Sequence, residues 1–195
     1  MKKDYLLDLI KLKNTVFTAK DISLFWQETD VNFIKKKIYR YLKADKIYSI
    51  RRGIYVKNKD YSRFELATKI YTPAYVSFET VLAKAGVTFQ FYNQIFVASY
   101  LTRNLSIDNQ DYCFKKIKNS VLTNKTGIEI KDGYFIASPE RAFLDVVYLN
   151  KDYYFDNLSG LDWNKIFDIL PIYGNNKRIR AAVLKYQNAA KNGLN

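Results

Sequence analysis

Asn32, Lys35, Lys36, Tyr39, Arg40 and Lys43 follow one another in steps of three and one, the spacing at which side chains share one face of an α-helix. The set offers hydrogen-bond donors, cationic groups and one aromatic ring, with no carboxylate among them. Such a face is suited to gripping acceptors, as a DNA groove presents them. An asparagine amide can pair bidentately with adenine, so the early members suit base edges, while the later lysine and arginine residues suit phosphates. A second group, Arg51-Arg52-Gly53, sets two guanidiniums beside a residue that accepts positive φ, placed to enter a minor groove or follow a phosphate strand. Thr18 is grouped with these residues in the DNA-facing set. The plainer reading is a solvated helix and a structural hairpin, but a solvated face normally interleaves acids with its bases.

The elements that must carry these groups are legible upstream and downstream of them. Tyr5, Leu6, Leu9, Ile10 and Leu12 recur at helical spacing and define a first helix over about 4–13. Thr18 with Asp21 three residues on resembles a capping box that opens a second helix, with Ile22, Phe25 and Trp26 on its buried side. Thr29 or Asp30 caps a third helix over Val31 to Lys43, whose inward residues are Val31, Ile34, Ile38, Tyr41 and Leu42. Two β-prone runs, Ile47 to Ile50 and Ile54 to Val56, flank the arginine turn as a hairpin. Three helices followed by a basic hairpin read as a winged helix-turn-helix over residues 1–60.

Charge supports that division. Residues 1–60 hold 15 lysines and arginines against 7 acids, whereas residues 61–145 hold 10 against 8, so the excess within the net +13 is concentrated at one end. A small, strongly positive domain of this shape usually meets DNA. With 48% apolar and 16% aromatic residues, the chain has ample material for packed cores.

The absences narrow the function further. There is no histidine, which removes Ser-His-Asp and Cys-His catalysis and histidine metal sites. A single cysteine, Cys113, makes neither an internal disulfide nor a multi-cysteine metal site and suits a reducing cytoplasm. No phosphate-binding glycine loop appears, residues 1–14 hold no long apolar stretch and nowhere do about 18 apolar residues follow one another, so neither secretion nor membrane spanning is expected. No cofactor or metal is expected. One catalytic outline stands against this: Glu129 and Lys131 alternate onto one face of a candidate strand, with Asp108 and Asp111 upstream, as in a magnesium-dependent nuclease.

Residues 61–195 read as a mixed α/β domain. Helices are expected at 61–70, 77–85 and 139–149, with strands from Gln94 to Leu101, Tyr112 to Ile117, Ile128 to Lys131 and Tyr134 to Ala137, the last two joined by Asp132-Gly133. Ser77 and Ser138 serve as N-caps, Gly86 ends the middle helix, and Asp145 can brace Arg141 one turn earlier. Two more helices follow, from Trp163 to Leu170, stopped by Pro171, and from Asn176 to Asn192, ended by Gly193. The last sets Lys177, Arg178, Arg180, Lys185 and Lys191 opposite Ile179, Ala182, Val183 and Tyr186, a solvated face or an auxiliary contact to DNA or protein. The fold class is therefore α+β, a winged helix-turn-helix followed by a mixed α/β domain.

From Val16-Phe17-Thr18 through Arg51-Arg52-Gly53-Ile54-Tyr55 to Tyr75-Val76-Ser77-Phe78-Glu79 and Ser138-Pro139-Glu140-Arg141-Ala142-Phe143-Leu144-Asp145, the chain resembles AbiEi-type antitoxins. The resemblance covers about residues 5–150; Phe78, Thr80 and Val81 stand where that family often has Leu, Ser and Ala. It implies a regulator of a bacterial type IV toxin–antitoxin system for phage defence, one that represses its own promoter through inverted repeats. It also implies a functional link to a nucleotidyltransferase-like toxin encoded nearby. The expected partner is double-stranded DNA, with the protein a monomer in solution that pairs on DNA and meets no membrane. An antitoxin that grips its toxin directly, with DNA binding secondary, is the competing reading.

Overall fold

The computed structural model describes residues 4–191, so the expected stop at Asn192 and Gly193 lies outside the described residues. The chain is α+β and divides into two compact units, one ending at Ile70 and the next beginning at Tyr71.

In the first unit, Asp4 caps α1 (Tyr5–Lys11) by accepting from the Leu6 and Leu7 amides. Strand β1 (Val16–Thr18), too short to register as periodicity, leads straight into α2 (Ala19–Trp26). The capping box is complete: the Asp21 amide donates to Thr18 Oγ1 at 3.1 Å and the Thr18 amide to Asp21 Oδ2 at 2.9 Å. Helix α3 (Val31–Lys43) follows, capped by Asp30, and then β2 (Tyr48–Arg51), β3 (Ile54–Val56) and α4 (Arg63–Ile70). The sheet runs β1-β3-β2, all antiparallel.

Helix periodicity placed the core well but not its edges. Leu9, Phe17, Ile22, Trp26, Ile34, Ile38 and Ile47 form one buried cluster, flanked by Tyr5, Leu6, Leu12, Tyr41 and Leu42. The Trp26 indole donates to the Tyr5 carbonyl at 2.9 Å, so burying that ring leaves no orphan N–H. Phe25 and Val31, expected inside, are 39% and 58% exposed, and Ile10 is exposed too. Phe25 stands at the rim, edge-on to Phe17, because Ile22 and Trp26 already fill the inner side of α2. Helix α4, beyond the division drawn at residue 60, belongs with this unit: Glu65 is buried and accepts from the Thr15 and Val16 amides at 2.7 and 2.8 Å, from the Thr15 hydroxyl at 2.6 Å and from Asn14 at 3.2 Å.

The second unit is a six-stranded mixed sheet in the order β6-β7-β5-β4-β9-β8, built from β4 (Ala74–Val76), β5 (Ile95–Ser99), β6 (Arg103–Ile107), β7 (Gln110–Lys116), β8 (Ile128–Lys131) and β9 (Tyr134–Ala137). Around it lie α5 (Glu79–Lys84), α6 (Asn119–Leu122), α7 (Pro139–Leu149), α8 (Trp163–Ile169) and α9 (Lys177–Lys191). Ser138 caps α7 with Pro139 at its first position, as expected. Helix α8 ends at Ile169, one residue short of the expected Leu170, and Pro171 sits in a 3-10 turn, Leu170–Tyr173, that carries the chain to Gly174. Arg178 is no solvated residue: its guanidinium donates to the carbonyls of Val147, Tyr148 and Asn150 at the end of α7.

Candidate nucleic-acid interface

Asn32, Lys35, Lys36, Tyr39, Arg40 and Lys43 are all exposed, and at about 100° per residue they occupy roughly 140° of the α3 circumference. Ile34 and Ile38 anchor the opposite side in the core, which fixes the rotation of the helix about its axis. Helix α3 contains no acid at all, and among the described residues Lys35, Lys36, Arg40 and Lys43 form no ion pair. Among the described residues no carboxylate is paired with their charge. The Lys43 ammonium lies 5.2 Å from the centroid of the Tyr39 ring, itself 57% exposed, so cation and ring form one flat, electropositive patch. Lys37 turns the other way, over Tyr5 and Phe33.

The turn between α2 and α3 is short and tightly bonded. Gln27 adopts the left-handed region at φ 51°, the Glu28 amide donates to the Ser23 carbonyl at 3.1 Å, and the Ser23 hydroxyl donates to the Glu28 carbonyl at 2.7 Å. Four residues connect the two helices, the length of a helix-turn-helix connection.

The β2–β3 hairpin turns at Arg52 and Gly53, where Gly53 has φ 78°, a value a side chain would strain. Arg52 is exposed and Arg51 half-buried at the strand end. The Gly53 carbonyl accepts from the Ala19 amide at 3.2 Å, so the hairpin tip is tied to the start of α2. At the hairpin's other end, the Lys57 ammonium donates to the carbonyls of Ile10 and Leu12, where α1 stops. Burial draws the Lys57 pKa below the ordinary lysine range, with Glu65 opposing. Thr18 is half-buried, its hydroxyl already accepting the Asp21 amide.

Asp21 fastens this unit internally. Its carboxylate takes the Thr18 amide and, at 2.7 Å, the Lys69 ammonium of α4. Burial pushes the carboxyl up, but Lys69 and the Thr18 bonds outweigh it and hold the pKa below the ordinary carboxylate range.

In the second unit, the two distinctive sequence blocks meet in a buried polar cluster. Asp145 accepts from Ser77 Oγ at 2.7 Å, Tyr173 OH at 2.7 Å, Tyr75 OH at 3.0 Å and Arg141 Nε at 3.3 Å. Arg141 also donates to the carbonyls of Val121 and Thr126, both at 2.8 Å, and to Tyr75 OH at 2.7 Å. Ser77 is therefore a ligand of Asp145 and not the cap of α5, whose cap position is Phe78 at φ 55°. Burial, with the Asp145 charge, drives the Tyr75 and Tyr173 hydroxyls well above the ordinary phenol range and keeps them as donors. Burial lifts Asp145 itself, against the pull of Arg141 and three hydroxyls. Fully enclosed, the cluster joins β4, α7 and the 3-10 turn.

The nuclease outline is not assembled. Asp108 and Asp111 lie at the β6–β7 hairpin, while Glu129 and Lys131 lie on β8 at the other edge of the sheet. Four strand spacings separate β7 from β8, about 19 Å at ~4.8 Å each. Among the described residues no three His, Cys, Asp or Glu side chains converge as a metal site, and no helix is long and apolar enough to cross a membrane.

A scan against protein-family models and a search of curated proteins both return no match for this chain.

Proposed function

We propose that this protein is a sequence-specific DNA-binding transcriptional repressor, the antitoxin of a bacterial type IV toxin–antitoxin system that controls its own operon through inverted repeats. The reading takes residues 1–60 as a winged helix-turn-helix, with α2 and α3 as the helical pair, α3 in the major groove and the Arg51-Arg52-Gly53 hairpin as the wing. The order of elements and the three-stranded sheet with β3 at its centre support it.

The observation that carries the proposal is the acid-free, exposed arc of Asn32, Lys35, Lys36, Tyr39, Arg40 and Lys43 on a helix whose other side is locked in the core. Asn32 and Lys36, in the first turns, approach base edges; Arg40, Lys43 and Arg52 hold phosphates. Antitoxin identity rests on the resemblance of the Tyr75-to-Glu79 and Ser138-to-Asp145 blocks to that family, and the reading assigns no catalytic step to the chain.

Footprinting on the DNA upstream of the protein's own reading frame is the direct test. Protection of two inverted half-sites, with a nucleotidyltransferase-like gene alongside, is the expected result. Uniform binding to unrelated duplexes, or no protection, overturns the repressor reading. Stable co-purification with the neighbouring gene's product instead of protection would favour the toxin-gripping alternative.

A further inference from the structure

Strand β8 closes one edge of the six-stranded sheet, and its exposed face is apolar in a way a sheet edge normally avoids. Ile130 is 73% exposed, and Phe135, its cross-strand partner on β9, is 42% exposed. Glu129 and Lys131 flank Ile130 and share the opposite face of the strand. Neither forms an ion pair among the described residues. Lys131 lies close enough to Lys84 that its charge, after burial, helps lower the pKa of that lysine.

Backbone geometry fixes which peptide groups face outward. The β8–β9 hairpin turns in two residues, Asp132 and Gly133, at φ 45° and 85°, and pairs Lys131 with Tyr134. A turn of this kind is flanked by a mutually hydrogen-bonded pair, so Lys131 and Glu129 bond toward β9, and Ile130 and Ile128 point their N–H and C=O away. Two further bonds agree with this alternation: the Gly127 carbonyl accepts from Ser138 on the β9 side at 2.8 Å, and the Ile128 amide turns outward to the Lys125 carbonyl at 3.0 Å.

We propose that β8 is a self-pairing edge, on which a second copy of this chain adds its own β8 antiparallel about a two-fold axis at Ile130. In that register the two Ile130 residues exchange both outward backbone hydrogen bonds, and Glu129 of each copy faces Lys131 of the other. Ile130 and Phe135 of the two copies then form one apolar stripe on the opposite face. The neighbouring registers are worse: an axis at Glu129 sets two carboxylates against each other, an axis at Lys131 sets two ammonium groups together, and an axis at Ile128 opposes Lys131 to Lys125. Charge therefore selects one of four alignments. The paired segment is short, so the association is weak and concentration-dependent. It suits a reader of inverted repeats but stands without that reading, since its test contains no DNA.

The test is sedimentation equilibrium of the full chain at low salt, up to about millimolar concentration, on the wild type and three charge variants. Glu129→Lys and Lys131→Glu should each weaken self-association by about tenfold or more, by turning two attractive cross-strand pairs into repulsive ones. Combining them restores complementarity and should return association to within about threefold of wild type. Independently, Ile130→Cys in a Cys113→Ser background should oxidise to a covalent dimer, because a hydrogen-bonded pair on the axis sets the Cα atoms about 5.5 Å apart. Cysteine at Ser106, on the far edge, should not. A wild type monomeric throughout, association indifferent to the single changes, or failure of the double change to restore it overturns the proposal.

Discussion

Lys36 and Arg52 carry the sharpest expectations at the scale of single side chains. Both are exposed and neither forms an ion pair among the described residues, so replacing them removes a donor without unsettling a core. Lys36→Ala and Arg52→Ala should each weaken operator binding by about 1–3 kcal/mol where the side chain meets a base, and by less where it meets only phosphate. Competition binding with the native fold verified by circular dichroism measures this. Asp145 is the opposite case, a carboxylate fully enclosed with four donors turned toward it. Asp145→Ala should destabilise the second unit by about 3–5 kcal/mol, because it strands a buried guanidinium, and chemical denaturation would show it. Operator binding by the folded fraction should be unchanged.

At the scale of elements, local chemistry was legible and tertiary partnership was not. Helix α3 was readable to its ends because Asp30 caps it and Ile34 and Ile38 recur on one side. The capping box of α2 was readable because both its bonds are local. Ser77 looked like a cap because serine before a helix usually is one, but its hydroxyl goes to Asp145, 68 residues away, a partner no short window contains. Strand β6 was missed because it reads Arg-Asn-Leu-Ser-Ile, a polar edge with little β-branched signal. Asp21 yields a pH expectation at this scale. Its folded pKa lies below the unfolded value, so its bonds to Thr18 and Lys69 contribute stability above about pH 4 that is lost as pH falls through the folded pKa. The first unit should weaken on acidification below about pH 4, and Asp21→Asn should lower stability at neutral pH while flattening that dependence, as followed by Trp26 fluorescence.

At the scale of the molecule, the charge excess and the candidate interface coincide in the first unit. Composition alone located that excess, whereas the attachment of α4 to β1 through Glu65 was invisible without the fold, because a buried glutamate in a helix is indistinguishable in sequence from a solvated one. The central claim is that the arc on α3 and the arginine hairpin together neutralise DNA phosphates. The measurement that bears on it most directly is the affinity for the promoter duplex by fluorescence anisotropy, from about 50 to about 300 mM salt. With roughly six phosphates neutralised, log affinity should fall against log salt with a slope of about −5; Arg52→Ala, which removes a phosphate contact, should make it shallower by about one, and Lys36→Ala, at a base edge, should weaken binding with a smaller change in slope. A flat salt response, with both variants binding as tightly as the wild type, would contradict the account.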